Sequence, residues 1–182
     1  MLKVRLTLVL FLLILGSSSY AQRYTQSGVI HTEIQLFTKN GIQINGSSKE
    51  MHVDYPAQDQ KMVIRLDPHT IRTDNIDFNK QLDECLLGNF VFTSEVDASS
   101  LEFRSKYNET IEVEAEAEIN NITQQVKLYL ILSNKKTTNK NEIIIVGKGV
   151  INISDFELDN IFPDLEGELI FQFTQNLVVN YK

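Results

Sequence analysis

The chain has 182 residues, with 17 Lys and Arg against 24 Asp and Glu, a net charge of −7. That balance argues against phosphate-backbone binding, which needs clustered cations. A single cysteine excludes an internal disulfide framework, and 42% hydrophobic residues suffice for one unstapled core.

The first residues read as a signal peptide. Lys3 and Arg5 precede an apolar run from Leu6 to Leu15, and Ser19-Tyr20-Ala21 is a small-x-small cleavage pattern. The run is shorter than the ~20 residues that span a bilayer. The expectation is a signal over residues 1–21 and one domain over 22–182. The product would be periplasmic or secreted, with no stable membrane anchor after cleavage. Removing the signal leaves 15 basic against 24 acidic residues, a net of −9.

Val29 to Phe37 alternates, with Ile30, Thr32, Ile34 and Leu36 on one face. Asn40-Gly41 predicts a hairpin turn, and a short strand over Ile42 to Ile44 is expected to end at Asn45-Gly46. Met51 to Tyr55 and Met62 to Leu66 are further short strands, stopped by Pro56 and Asp67-Pro68. The period then lengthens. Thr73 or Asp74 can cap a helix over 74–87 whose apolar stripe is Ile76, Phe78, Leu82, Cys85 and Leu86, with Gly88 at the exit. Leu101 to Arg104 returns to strand.

Ile111 to Ile119 is the clearest element, since apolar residues occupy every odd position and glutamates every even one. A strand puts these on opposite faces, one oily and one wet, whereas a helix brings the carboxylates together at i,i+4. A wet face implies an antiparallel sheet. Ala115 and Ala117 on the oily face leave room behind it. Asn120-Asn121 turns the chain into Val126 to Leu132, and Ser133 to Asn141 reads as a solvated lysine-bearing loop. Glu142 to Ile153 is a strand in which Gly147 and Gly149 predict a bend or bulge. Glu168 to Tyr181 closes the chain, with Leu169, Phe171 and Phe173 aligned. About eight strands and one inserted helix, with no βαβ rhythm, make a mainly β protein, an antiparallel barrel or sandwich.

The order of these landmarks resembles the YceI-like family. His31 stands where that family has a histidine in its first strand. Ile71-Arg72-Thr73-Asp74-Asn75 resembles the segment before its helix, and Leu82 with Leu86-Leu87 through Phe90 the helix end. Leu101-Glu102-Phe103-Arg104-Ser105 is similar to its phenylalanine-bearing strand. Ile119 to Leu130, with Thr123 and Val126, resembles its Leu-x-x-His-Gly-x-Thr-x-x-Val stretch, and Ile151 to Phe156 its Asn-Arg-x-Asp-Phe-Gly. The departures are specific. Asn120-Asn121 replaces His-Gly, Ile153 replaces Arg, Glu157 replaces Gly, and Phe78-Asn79 replaces Arg-Asp. Ser99 and Ser100 stand near the usual proline before the phenylalanine strand.

The resemblance implies an exported lipocalin-like barrel that carries a polyisoprenoid, a quinone or a fatty-acid derivative. Its apolar wall would be Ile34, Leu36, Ile64, Val113, Ala115, Ala117, Leu128, Leu130, Phe171 and Phe173, with Phe103, Phe78 and Leu82 completing the cavity. Periodicity alone fits a solid core at least as well, making the chain a structural or interaction module that works through its acidic wall or its lysines at 135–140. A hydrolase would need a histidine within reach of a serine or cysteine. No catalytic residue, metal ligand or cofactor is expected, because His31, His52 and His69 lie on separate segments and no nucleophile elbow or phosphate loop occurs. Cys85 reads as a small buried residue, with a reactive thiol or a dimer bridge as the alternatives. Asn45, Asn108, Asn121 and Asn152 open Asn-x-Ser/Thr sites that chance accounts for in an Asn-rich chain.

Overall fold

The computed structural model describes residues 23–55, 61–96, 109–136 and 141–180. The signal segment, Leu101 to Arg104 with Phe103, Ser99, Ser100 and residues 137–140 of the lysine loop lie outside them.

Ten strands form one antiparallel sheet curled into a half-barrel. β1 (Arg23–Thr38), β2 (Gln43–Ser48), β3 (His52–Asp54) and β4 (Lys61–Leu66) lead to a 3-10 turn at Pro68–Thr70 and a two-residue β5 (Arg72–Thr73). Helix α1 (Ile76–Glu84) follows, then β6 (Phe90–Glu95), β7 (Glu109–Ile119), β8 (Ile122–Lys136) and β9 (Asn141–Asn152). A 3-10 turn at Ser154–Phe156 and a one-turn α2 (Leu158–Ile161) precede β10 (Leu165–Asn180). The hydrogen-bonded order is β3-β4-β6-β7-β8-β9-β10-β1-β2-β5. Three residues carry the chain from β2 into β3, so strands near opposite ends of this order are close in sequence.

Alternation places the predicted faces correctly. On β7 the glutamates at 112, 114, 116 and 118 are exposed while Ala115, Ala117 and Ile119 are buried. Asn120 and Asn121 both have positive φ, 54° and 59°, the geometry of a two-residue hairpin turn, which asparagine tolerates. Gly41 has φ 73° in the β1–β2 hairpin.

Five local expectations need correction. Asn45-Gly46 does not end a strand. β2 continues to Ser48, and Gly46 pairs with Thr73 of β5, whose Cγ2 would lie 2.8 Å from an added Cβ. Its glycine admits a crossing backbone. Gly147 and Gly149 mark no bulge, since β9 keeps an unbroken register with both β8 and β10. Register shifts fall instead in β1, between Ser27 and His31 and between Gln35 and Phe37. The 133–141 segment is strand as far as Lys136. Phe90–Glu95, unassigned from sequence, is a full strand with Phe90, Phe92 and Ser94 inward. Finally, α1 spans nine residues rather than the 74–87 expected.

The helix limits have local causes. The Asn75 side chain, not Thr73 or Asp74, caps the start by accepting from Phe78 N at 2.9 Å. Asn79 bonds Thr73 through its backbone N, hydroxyl and carbonyl, tying α1 to β5. At the other end Cys85 adopts extended ψ 154° so that Leu87 can turn inward. Only Phe78 and Leu82 of the predicted stripe are buried in α1; Cys85 is half-buried, and Ile76 and Leu86 are exposed.

Two departures from the family pattern meet in space. Asn120 Nδ2 donates to the Phe156 carbonyl at 3.1 Å, joining the β7–β8 turn to the turn after β9. Glu157, where the pattern has glycine, has φ 53°, and its exposed side chain makes no capping bond. The left-handed conformation costs a side-chain-bearing residue roughly 1–2 kcal/mol, against roughly 0.5–1 kcal/mol of extra chain entropy for glycine. Glu157→Gly is therefore expected to stabilise the fold by up to about 1 kcal/mol, read as a rise of about 2–4 °C in melting temperature.

Candidate functional site

The interior divides at a ring pair. Phe92 of β6 and Phe171 of β10 face each other with centroids 4.8 Å apart. Toward the N-terminal ends of both strands lies a wholly apolar pocket. β1 contributes Ile34 and Leu36, α1 contributes Phe78 and Leu82, and β6 contributes Phe90. Ile71, Ile153, Leu158, Phe162, Leu165 and Leu169 close it from the flanking turns, α2 and β10. Phe78 packs edge-on against Phe162, centroids 5.1 Å apart, which anchors α1 over the opening. The free volume is about 20 Å³, little more than one water-sized space.

A second, open depression of about 270 Å³ adjoins it. Its rim carries Thr38, Lys39, Asn40 and Ile42 beside Asp77, Gln81 and Asp164, and it shares Phe78 and Leu165 with the inner pocket. Those two side chains line both spaces. Phe78 and Ile153 both line this end of the barrel and make it hydrocarbon.

The centre is filled by rings. Gly147 pairs with Phe173 and Gly149 with Phe171. A Cβ on either glycine would fall inside the ring of its partner, so the phenylalanines lie flat over bare backbone. This aromatic cover of strand glycines holds the register and occupies the space expected to be open.

Of the predicted wall, Ile34, Leu36, Phe78 and Leu82 converge on the helix-end pocket. Ile64, Ala115, Ala117, Leu128, Leu130, Phe171 and Phe173 are buried along the rest of the interior, and Val113 is partly buried. The lining residues outside the predicted wall are Ile71, Phe90, Leu169 and four in the stretch 153–165, whose one-turn elements are too short to show a period. The small-residue and Phe pattern pairs up in register, with Ala117 opposite Phe92 and Ala115 opposite Ser94.

On the outer wall Glu112 accepts from Lys127 at 2.6 Å, which holds its carboxyl below the usual range and the ammonium above its own. Glu114 and Glu116 line an open outer groove of about 450 Å³ with Lys61, Thr93, Ser94, Glu95 and Gln125.

The cluster nearest to catalytic form is Asp67, His69 and Cys85. His69 Nδ1 lies 2.9 Å from Asp67 Oδ1, and Nε2 lies 3.0 Å from the Cys85 carbonyl and 3.9 Å from its Sγ. Both ring nitrogens thus face acceptors, the arrangement of an imidazolium that donates twice. The Cys85 carbonyl first, then Asp67, raise the His69 pKa above 6.5. The thiol donates to Leu82 O at 3.2 Å, so the ring is not placed as its base. His31 and His52 are exposed, and among the described residues no group of three or more His, Cys, Asp or Glu could hold a metal. A raised folded pKa means that His69 stabilises the fold fully below about 6.5, an advantage lost as pH climbs through the raised value. Melting curves from pH 5.5 to 8.5 are expected to show a small fall in wild type that is reduced in His69→Gln.

Comparison with known proteins places this geometry. A polyisoprenoid-binding domain from Saccharophagus degradans, implicated in plant cell wall breakdown, superposes with a TM-score of 0.69 at 11% identity, over 87% of this chain and 99% of that one. BcnA of Burkholderia cenocepacia superposes at 0.55 with 13% identity, over 82% and 96% respectively. At those identities the likeness is one of fold. No curated protein matches the sequence. The YceI-like domain matches residues 24–175, most of the chain, and the protein belongs to the YceI-like family.

Proposed function

We propose that the chain is an exported, non-enzymatic carrier that encloses a long hydrocarbon chain, of the polyisoprenoid class, along the axis of its barrel. The observation that carries this reading is the helix-end pocket, whose lining is entirely apolar and which shares Phe78 and Leu165 with an adjoining open depression. Family membership and a neighbour described as polyisoprenoid-binding support it.

The physics of loading follows from the volumes. Ligand pockets hold ~300–1,000 Å³, and the inner pocket offers about 20 Å³. A chain therefore enters by displacing side chains, with Phe78 and the rings of Phe171 and Phe173 giving way. Each buried CH₂ contributes ~0.8 kcal/mol, so a long tail can offset the loss of several ring contacts. An amphipathic headgroup is not needed for this, which suits burial rather than chemistry. The apolar run in residues 1–21 supports export to a periplasmic or extracellular site. Among the described residues no helix is long and apolar enough to cross a membrane.

The packed centre favours a second reading, in which the barrel is solid and the acidic outer groove is the working surface. Native mass spectrometry of the mature protein, with organic extraction of whatever is bound, separates the two. Recovery of a stoichiometric long-chain lipid is the expected result. A bare mass, and no mass shift on incubation with excess prenyl lipid, would leave the solid barrel standing.

A further inference from the structure

Beyond the ring pair the interior changes character. β6 and β10 are four antiparallel steps apart in the sheet, so they run in the same direction. The next inward residue after Phe92 is Ser94, and those after Phe171 are Phe173 and Gln175. Both polar residues therefore lie on the side of the Phe92–Phe171 contact away from the helix-end pocket. Ser94 is 3% exposed and Gln175 is 1% exposed, and Ser94 also borders the open outer groove.

Their hydrogen bonding is incomplete. Gln175 Nε2 donates to the Asn176 carbonyl at 2.5 Å, which settles the amide orientation and turns Oε1 the other way. Among the described residues neither Oε1 nor Ser94 Oγ, both buried, has a partner. A buried polar atom left unpaired is costly, and native structures carry few. Thr32, also inward, has only the weak acceptor Met51 Sδ at 3.6 Å. Three polar side chains in a greasy barrel, two of them unsatisfied, are a feature that tail burial does not require.

We propose that Ser94 and Gln175 form a polar station for a hydroxyl group on the ligand, so that the barrel selects a long-chain isoprenoid alcohol over the same chain without a hydrogen-bond donor. The inference rests on the carrier reading and adds the chemistry of the ligand's polar end. Gln175 Oε1 only accepts, so it calls for a donor; Ser94 Oγ can give or take. A hydroxyl supplies both roles. A phosphorylated end does not fit here, because the buried polar residues described are Thr32, Ser48, Ser94 and Gln175, none of them cationic.

The test compares geranylgeraniol, its methyl ether and its monophosphate, using wild type, Ser94→Ala and Gln175→Leu. Wild type is expected to bind the alcohol about tenfold more tightly than the ether, the effect of one well-placed hydrogen bond, and to bind the phosphate no better than the ether. In both variants the alcohol-to-ether ratio is expected to fall toward one. Equal affinities for alcohol and ether in wild type would overturn the station and leave the carrier reading intact. So would a preference that survives both substitutions, as when a buried water serves the two atoms. Binding of none of the three probes would overturn both readings. The wild-type ratio needs no variant, so the outcome does not depend on whether Gln175→Leu folds.

Discussion

Alanine at Gly147 or Gly149 is expected to destabilise the protein by about 1–3 kcal/mol each, the usual range for overpacking a full core. In a chain of this size that lowers the melting temperature by about 2–4 °C per kcal/mol. The added methyl at Gly147 would fall within the Phe173 ring, and that at Gly149 would meet the Phe171 ring and Leu128 Cδ2, the latter at 2.9 Å. The nearest atoms in both cases belong to a buried phenylalanine ring, which has little room to move. The backbone at both glycines is ordinary strand with continuous pairing on either side, so the penalty is spatial rather than conformational. Phe173→Leu introduced with Gly147→Ala is expected to recover part of the loss, and thermal melts of the single and double variants measure it. No recovery would mean that the ring does not lie over that glycine. Bound lipid should narrow the gap, since a ring already displaced by ligand no longer occupies the methyl's place.

Phe78→Ala is expected to have the largest combined effect on stability and ligand exchange. The side chain is 5% exposed and packs edge-on against Phe162, and removing a buried phenylalanine costs about 3–5 kcal/mol. It is also one of the two residues shared by the outer depression and the inner pocket. Its loss joins them into one open apolar slot. Association of a fluorescent prenyl probe, followed by stopped flow, should become at least several-fold faster in Phe78→Ala than in wild type, despite the lower melting temperature. Phe78→Leu keeps most of the apolar volume and should fall between. Unchanged association in a variant that still melts cooperatively would move the ligand's route away from α1.

Most of the architecture could be read from residue alternation, because period two survives wherever one face is buried and the other wet. β7 is the clearest example, and β1, β8, β9 and β10 follow it. Turn chemistry was equally readable at Gly41 and at Asn120-Asn121, where the backbone takes the positive φ those residues tolerate. What failed were inferences from a single residue to a single cause. Gly46, Gly147 and Gly149 were read as breaks in strands, yet each is a point of close approach, one to β5 and two to aromatic rings. Cross-strand partners decide between those meanings, and they are distant in sequence. β6 escaped notice because its six residues follow directly on an expected helix end. α1 proved shorter because His69, 16 residues upstream of Cys85, bonds that residue's carbonyl as the chain leaves the helix.

The site was readable in part for the same reason. Ile34, Leu36, Phe78 and Leu82 lie on periodic elements, whose pattern already puts them on an inward face. Ile153, Leu158 and Phe162 sit on turns of three or four residues, and nothing local distinguishes an inward turn residue from an outward one. Ser94 and Gln175 gave no signal, because a polar residue within a strand ordinarily faces water.

The two outermost strands have a mechanical consequence. β3 is three residues long and β5 two, and among the described residues each has a ladder neighbour on one side only. A barrel stitched all the way round has a girth set by its hydrogen bonds, and it cannot swell without breaking them. Here the wall has a seam, bordered by the two shortest strands, where separation breaks few ladder bonds. A full interior and a bulky guest are compatible in such a vessel, because its circumference can grow at the seam while every long strand keeps its neighbours.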